Sequence, residues 1–170
     1  LINLFARNPV LDIPLTLFKF NLEYLRLLTE DIPKEQFSQA AFSGGKPARW
    51  ILGHLAIAND YTLQLLGQPS CCPKEWHAQF GPGSDANTPG GPTTDELLAG
   101  IARGADLVIA AVPHATPAQL APRHTVAMKQ LLRFTPTVGD LVGHLLSTHF
   151  ATHLGQLSVW RRQMGWPSVF

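Results

Sequence analysis

The sequence predicts an all-α protein, a four-helix bundle. Apolar residues recur at spacings of three and four through four long segments, and these segments are bounded by proline, glycine or capping patterns. No convincing pair of alternating runs competes with them, so a mixed sheet fold is set aside.

The first helix is expected over residues 14–30, where Pro14 sits in a first turn after Asp12. The second covers residues 47–66, starting at Pro47 and placing Trp50, His54, Ile57 and Tyr61 along one stripe until Gly67 and Pro69 stop it. The third opens on the capping box Thr93-Thr94-Asp95-Glu96 and runs to Val112, before Pro113. The fourth opens on Thr137-Val138-Gly139-Asp140, a box with Asp in place of Glu, and continues to Met164, where Gly165 and Pro167 end it. Two long connections remain. Residues 67–92 hold five prolines and read as an ordered overhand loop over one end of the bundle, with Trp76 and Phe80 as apolar anchors. Such a loop could serve as a lid on a site, a cover for exposed core or part of a dimer contact. Residues 113–136 carry four prolines around one short apolar piece, Met128 to Phe134.

At 170 residues the chain fits a single domain over residues 1–170, long enough to bury a core without disulfides. Thirteen Lys and Arg against twelve Asp and Glu give a net charge of +1 with no basic stripe, and Arg161-Arg162 reads as two cations near a helix C-terminus, so nucleic acid is not expected as a partner. There is no signal-peptide pattern and no uninterrupted apolar run of spanning length, so no membrane partner is expected. The two cysteines, Cys71 and Cys72, are neighbours and badly placed to bridge, which excludes a disulfide scaffold and fits a reducing, cytoplasmic setting. With His77 they imitate a small metal cluster, but Pro73 and the lack of further ligands weaken that reading.

The chemistry concentrates in His149 and His153. One helical turn apart, they project from one face and can place two ring nitrogens on a single metal ion. Phe150 stands where a zinc protease of the His-Glu-x-x-His type carries its general base, and no Glu-x-x-His suggests a di-iron bundle. His54, on the core stripe of the second helix, is the best third ligand. Three neutral imidazoles suit zinc, nickel, iron(II) or copper and not magnesium or calcium. His144 lies five residues before His149 and points about 140° away on a regular α-helix, so it is not expected to ligate. Asp60, six residues after His54, points off the ligand face. His77, His114 and His124 fall in loops and read as solvated. Gln156 and Trp160 continue the stripe of His149 and His153: Gln156 either touches a ligand or substrate or ties two helices together, and Trp160 either walls a pocket or fills volume.

Several of these segments together resemble the DinB-like family of damage-inducible bacterial proteins. The resemblance rests on Trp50-Ile51-Leu52-Gly53-His54-Leu55, on the run from His149 to Leu157, on Arg161 to Pro167, and on the loop from Glu75 to Ser84. It implies an up-down-down-up four-helix bundle, frequently a homodimer, with a divalent metal held by His54, His149 and His153. Related families include metal-dependent thiol transferases and a maleylpyruvate isomerase that use low-molecular-weight thiols such as bacillithiol or mycothiol. The expected function is therefore a metal-dependent enzyme, thiol transferase-like or hydrolase-like, with zinc or nickel activating a thiol or water against a small electrophile. Trp50, Tyr61, Gln156 and Trp160 would shape its pocket. The alternative is a non-catalytic metal- or small-molecule-binding stress-response protein.

Overall fold

A computed structural model describes residues 9–170, apart from positions 88 and 127 and the side chains of Lys129 and Gln130. The first eight residues of the expected domain lie outside the described part. Four long helical stretches dominate: α1 (Asp12–Thr29), α2 (Ala48–Leu65), α4 (Thr94–Ala111), and a last stretch made of α7 (Val138–His144), a π-helical turn (Leu145–His149) and α8 (Phe150–Gln163). Short helices α3 (Lys74–Phe80), α5 (Pro117–Leu120) and α6 (Lys129–Phe134) lie in the connections. The capping boxes at Thr93 and Thr137 are both formed, with each threonine hydroxyl accepting from the amide three residues on.

Helix directions follow from contacts at the ends. Arg161, near the end of α8, bonds the Leu28 carbonyl near the end of α1, so these two helices run parallel. The Thr94 hydroxyl, at the start of α4, donates to the Lys34 carbonyl just beyond the end of α1, which sets α4 antiparallel to α1. The ends of α2 and α4 meet at a cleft shared by Leu63, Leu66, Leu107 and Ala111, so α2 and α4 run parallel. The result is the up-down-down-up bundle. α2 is its axis: every residue from Ile51 to Asp60 is buried, against α4 on one side and α8 on the other. By length and composition Thr94–His114 could cross a membrane, although Arg103 and Asp106 interrupt it. In the fold its stripe Leu97, Ile101, Ala105 and Val108 is bundle core.

A parallel pair demands a connection as long as the helices, and residues 67–92 supply it. This loop is not structureless: it contains α3, which opens directly after Pro73 and was hidden from the sequence reading by the surrounding prolines. Trp76 and Phe80 of α3 are both buried, as expected of anchors. They seat in two notches where a helix lacks a side chain: a Cβ at Gly53 would meet the Phe80 ring at 2.3 Å, and one at Gly100 would meet the Trp76 ring at 2.6 Å. Arg49 fastens the far end of the loop, donating to the Pro92 carbonyl at 3.0 Å and to that of Gly90.

Three further readings change. His124 is buried, not solvated: its Nε2 donates to the Thr135 carbonyl at 2.6 Å and its Nδ1 accepts from the Val126 amide at 3.2 Å. His77 is half-buried against Asp60. Arg161 is no surface cation at a helix end, since it is 3 % exposed and forms a two-pronged pair with Asp31 at 2.5 and 2.6 Å. The fork geometry of the guanidinium made burial acceptable there, and sequence position gave no hint of the partner.

The π-turn is the principal departure from regularity. Closing on the fifth residue leaves carbonyls without their usual partners, and Asn21, buried on α1, donates its side-chain amide to the Ser147 carbonyl at 3.3 Å and lies 3.5 Å from that of Leu146. Replacing Asn21 by Ala strips these buried carbonyls of their donor. The expected loss in unfolding free energy is about 1–3 kcal/mol by denaturant titration, with weaker metal retention because His149 closes the same turn.

Candidate metal centre

His54 sits in the second turn of α2 and is 8 % exposed. Its Nδ1 lies 2.7 Å from the carbonyl of Phe80. A carbonyl can only accept, so Nδ1 carries the proton and Nε2 presents a bare lone pair. The notch at Gly53 is what lets the Phe80 backbone come this near. On the other face of the ring, Trp50 is stacked at 4.9 Å with planes 9° apart, and its indole N–H donates to Ser84 of the loop at 2.9 Å.

From across the bundle, His149 brings its Nε2 to 3.2 Å from that of His54. The ring of His153 lies 4.5 Å from that of His54 and 4.6 Å from that of His149. One nitrogen from each of the three histidines falls within 4.8 Å of the others, close enough to hold one metal ion. His153 has its Nδ1 2.9 Å from Gln156 Oε1, so the amide oxygen fixes this tautomer as the Phe80 carbonyl fixes that of His54. The Nε2 atoms of His54 and His149, 3.2 Å apart, are close enough that both could reach one ion at the roughly 2.0–2.1 Å usual for an imidazole on zinc. The residues present therefore fit a divalent transition metal.

The π-turn reshapes this site. On a regular helix His144 would face away from His149, yet their ring centroids are 5.7 Å apart, because a turn that closes on the fifth residue stacks residues five apart. His144 stays outside the three-nitrogen cluster and hydrogen-bonds Thr148 at 2.7 Å. His149 Nδ1 is the one buried side-chain polar atom without a partner among the described residues.

The other sequence candidates divide. Trp50 and Gln156 touch histidines of the cluster. Tyr61 and Trp160 do not: each is seven residues from a ligand, about 10.5 Å along its helix. Tyr61 meets the ring of His77 edge-on at 4.9 Å. Trp160 packs on Phe37 at 5.3 Å, with its N–H on the Gln39 carbonyl, and is core. Sequence reasoning missed the Phe80 carbonyl, since a backbone acceptor has no residue signature, and it missed Lys46. The Lys46 ammonium lies 2.9 Å from the centre of the Trp50 ring and acts electrostatically on both His54 and His153.

Burial, reinforced by the neighbouring rings, pushes His149 down to about 3 and His153 down to about 4, and lowers His54 as well. All three are therefore neutral ligands at neutral pH. In the unfolded chain these groups titrate near 6.5, so between that value and the folded ones the unfolded state binds more protons. Metal-free protein is expected to keep full stability above about pH 6.5 and to lose it progressively toward pH 4. Thermal midpoints across that range check this, and the slope should flatten in His149→Gln. A midpoint that is level from pH 7 to 5 would contradict the assignment of buried neutral rings.

Comparisons with known proteins bear on the fold and the family. A search of solved structures aligns 92 % of the chain with 88 % of YfiT from Bacillus subtilis, at 17 % identity and a TM-score of 0.60. That protein is described as "a probable metal-dependent hydrolase with an unusual four-helix bundle topology", and at this identity the likeness shows the shared fold. No curated protein matches the sequence. The family model of the DinB superfamily matches residues 17–157, a span that includes all three histidines, and the chain belongs to that superfamily.

Proposed function

We propose that the chain is a metal-dependent enzyme whose His54, His149 and His153 hold a divalent transition metal, zinc or nickel, and that it acts on a small electrophilic substrate as a hydrolase or thiol transferase. The convergence of three neutral imidazoles, two of them held in the ligating tautomer by Phe80 and Gln156, carries the reading. When bound, the metal supplies a Lewis acid that polarises the electrophile and brings the pKa of a water or thiol toward neutrality.

The chain's own residues do the rest. The cluster has three members among the described residues, the number typical of catalytic sites, whereas structural zinc sites are closed by four. The stacked Trp50 and the Phe80 carbonyl hold His54 in one orientation, so the site is arranged before anything binds. Of the groups that act electrostatically on the three rings, the other histidines are uncharged at neutral pH and Lys46 is the cation, with no carboxylate among them. A site with a lysine cation at its rim and no carboxylate, once it also holds a metal, favours an anionic nucleophile or an anionic group on the substrate. The likeness to a protein described as a metal-dependent hydrolase supports the water-activating branch, and the same ligand set serves a low-molecular-weight thiol equally well.

Elemental analysis of protein purified without an affinity tag tests the reading, followed by a screen of esters, amides and thiol-electrophile pairs. One equivalent of metal is expected in the native chain and none in His153→Ala, with the helical signal retained because four helices already bury a core. Full metal content in single variants at all three positions would overturn the assignment. Replacing Lys46 by Gln should weaken binding of a simple anion such as azide to the metal-loaded protein by up to about fivefold, the size of an exposed ion pair. An unchanged affinity would remove Lys46 from the account.

A further inference from the structure

Beyond the histidine centre the molecule assembles a second group of reactive side chains. Asp60, on α2, is completely buried and accepts five hydrogen bonds. Its Oδ1 takes the backbone amides of Cys71 and of Cys72, the latter at 3.2 Å. Its Oδ2 takes Ser70 Oγ at 2.7 Å, Gln64 Nε2 at 2.8 Å and His77 Nε2 at 2.7 Å. Consecutive side chains of an extended strand point to opposite sides. Here the chain wraps the carboxylate, and both thiols come to one place: Asp60 oxygen, Cys71 Sγ and Cys72 Sγ lie within 4.8 Å of one another. Cys72 is buried with its Sγ 3.6 Å from the Ala56 carbonyl, while Cys71 is half-buried and lines a cleft of about 410 Å³. Leu63, Leu66, Leu107, Ala110 and Ala111 form the apolar wall of that cleft.

We propose that Cys71 and Cys72 form a dithiol site for a monosubstituted trivalent metalloid, of the kind an organic arsenic(III) compound represents, with the organic substituent lodged in the cleft. The step is a condensation: two As–O bonds of R–As(OH)₂ break, two As–S bonds form, and both thiol protons leave in two molecules of water. Arsenic stays trivalent and nothing is oxidised.

Three observations favour this ligand over the alternatives. A divalent cation would need both thiols ionised and a free carboxylate oxygen, whereas Asp60 is already saturated by its five donors. Burial and the Asp60 charge also push the Cys71 thiol up and that of Cys72 up to about 12, which disfavours the two thiolates a divalent cation requires, whereas the condensation takes up two thiols and releases water with no net change of charge. A direct disulfide needs sulfurs about 2.05 Å apart between neighbouring residues, a demand that an inserted bridging atom relaxes. The cleft wall then accounts for an organic substituent in place of a bare ion.

The test uses the metal-loaded protein and phenylarsine oxide. Mass spectrometry is expected to show one phenylarsenic group per chain, gained with loss of two hydrogens, removable by a small dithiol and resistant to excess monothiol. Cys71→Ser and Cys72→Ser should each bind at least about a hundredfold more weakly, because the second attachment is then no longer intramolecular. His153→Ala should bind as the native chain does, which separates this site from the histidine centre. The thermal midpoint of the native protein should rise with phenylarsine oxide, as for any ligand of the folded state. Native-like binding by either cysteine variant, a lowered midpoint, or displacement of the arsenical by one equivalent of cadmium would overturn the proposal. Should a serine variant misfold, the midpoint shift and the dithiol against monothiol release from the native chain decide.

Discussion

The hydrogen bond from His54 Nδ1 to the Phe80 carbonyl is the interaction on which the arrangement of the site depends. It joins the bundle's central helix to a crossover more than two dozen residues away in sequence, and it selects the ring nitrogen that faces the other two histidines. Its existence requires that the Phe80 ring lie directly on the α2 backbone, and only a glycine at 53 leaves room for that. A side chain there would move the ring, lift the carbonyl and free His54 to turn. The remaining ties of the crossover, from Asp60 to residues 70–77, from Trp50 to Ser84 and from Arg49 to the end of the loop, keep that one contact in register.

The opposite wall is set by a different device. α1 and the last helical stretch run parallel, held at one end by the pair of buried Arg161 with exposed Asp31 and at the middle by Asn21. The π-turn between α7 and α8 moves His144 from the far face to the neighbourhood of His149 and leaves a ring nitrogen of His149 unpartnered. Irregular helix at a functional centre exchanges local stability for the placement of a side chain, and Asn21 limits the loss by serving the carbonyls that the turn releases.

How much of this was legible in the sequence depends on what carried each feature. The four helices are written in apolar spacing and in capping boxes, so their ends were readable to within a few residues. The clustering of the three histidines was readable because two of them share a helical face and the third sits on a core stripe, all within the span that matches the DinB superfamily. What stayed hidden depends on tertiary contact. Asp60 looked misdirected because it does point away from His54, and its partners come from a loop whose path no local pattern gives. Tyr61 and Trp160 shared a stripe with ligands but not a level along the helix axis, and periodicity reports the stripe alone. His144 was misplaced because its angle was reckoned on a regular helix, and nothing in Leu145 to His149 announces a π-turn.

The two halves of the crossover are fastened differently. From Ser70 to Phe80 nearly every turn is fastened to α2, whereas beyond Phe80 the ties described are Gln79 with Gly90, Trp50 with Ser84 and Arg49 with the last residues. The part that places His54 is therefore separable from the part that runs past Trp50 at its rim. Side chains between Ser84 and Gly90 can be exchanged with those ties kept, so the same histidine cluster can be combined with different entrances. Likeness in the three histidines then says little about which molecule reaches them.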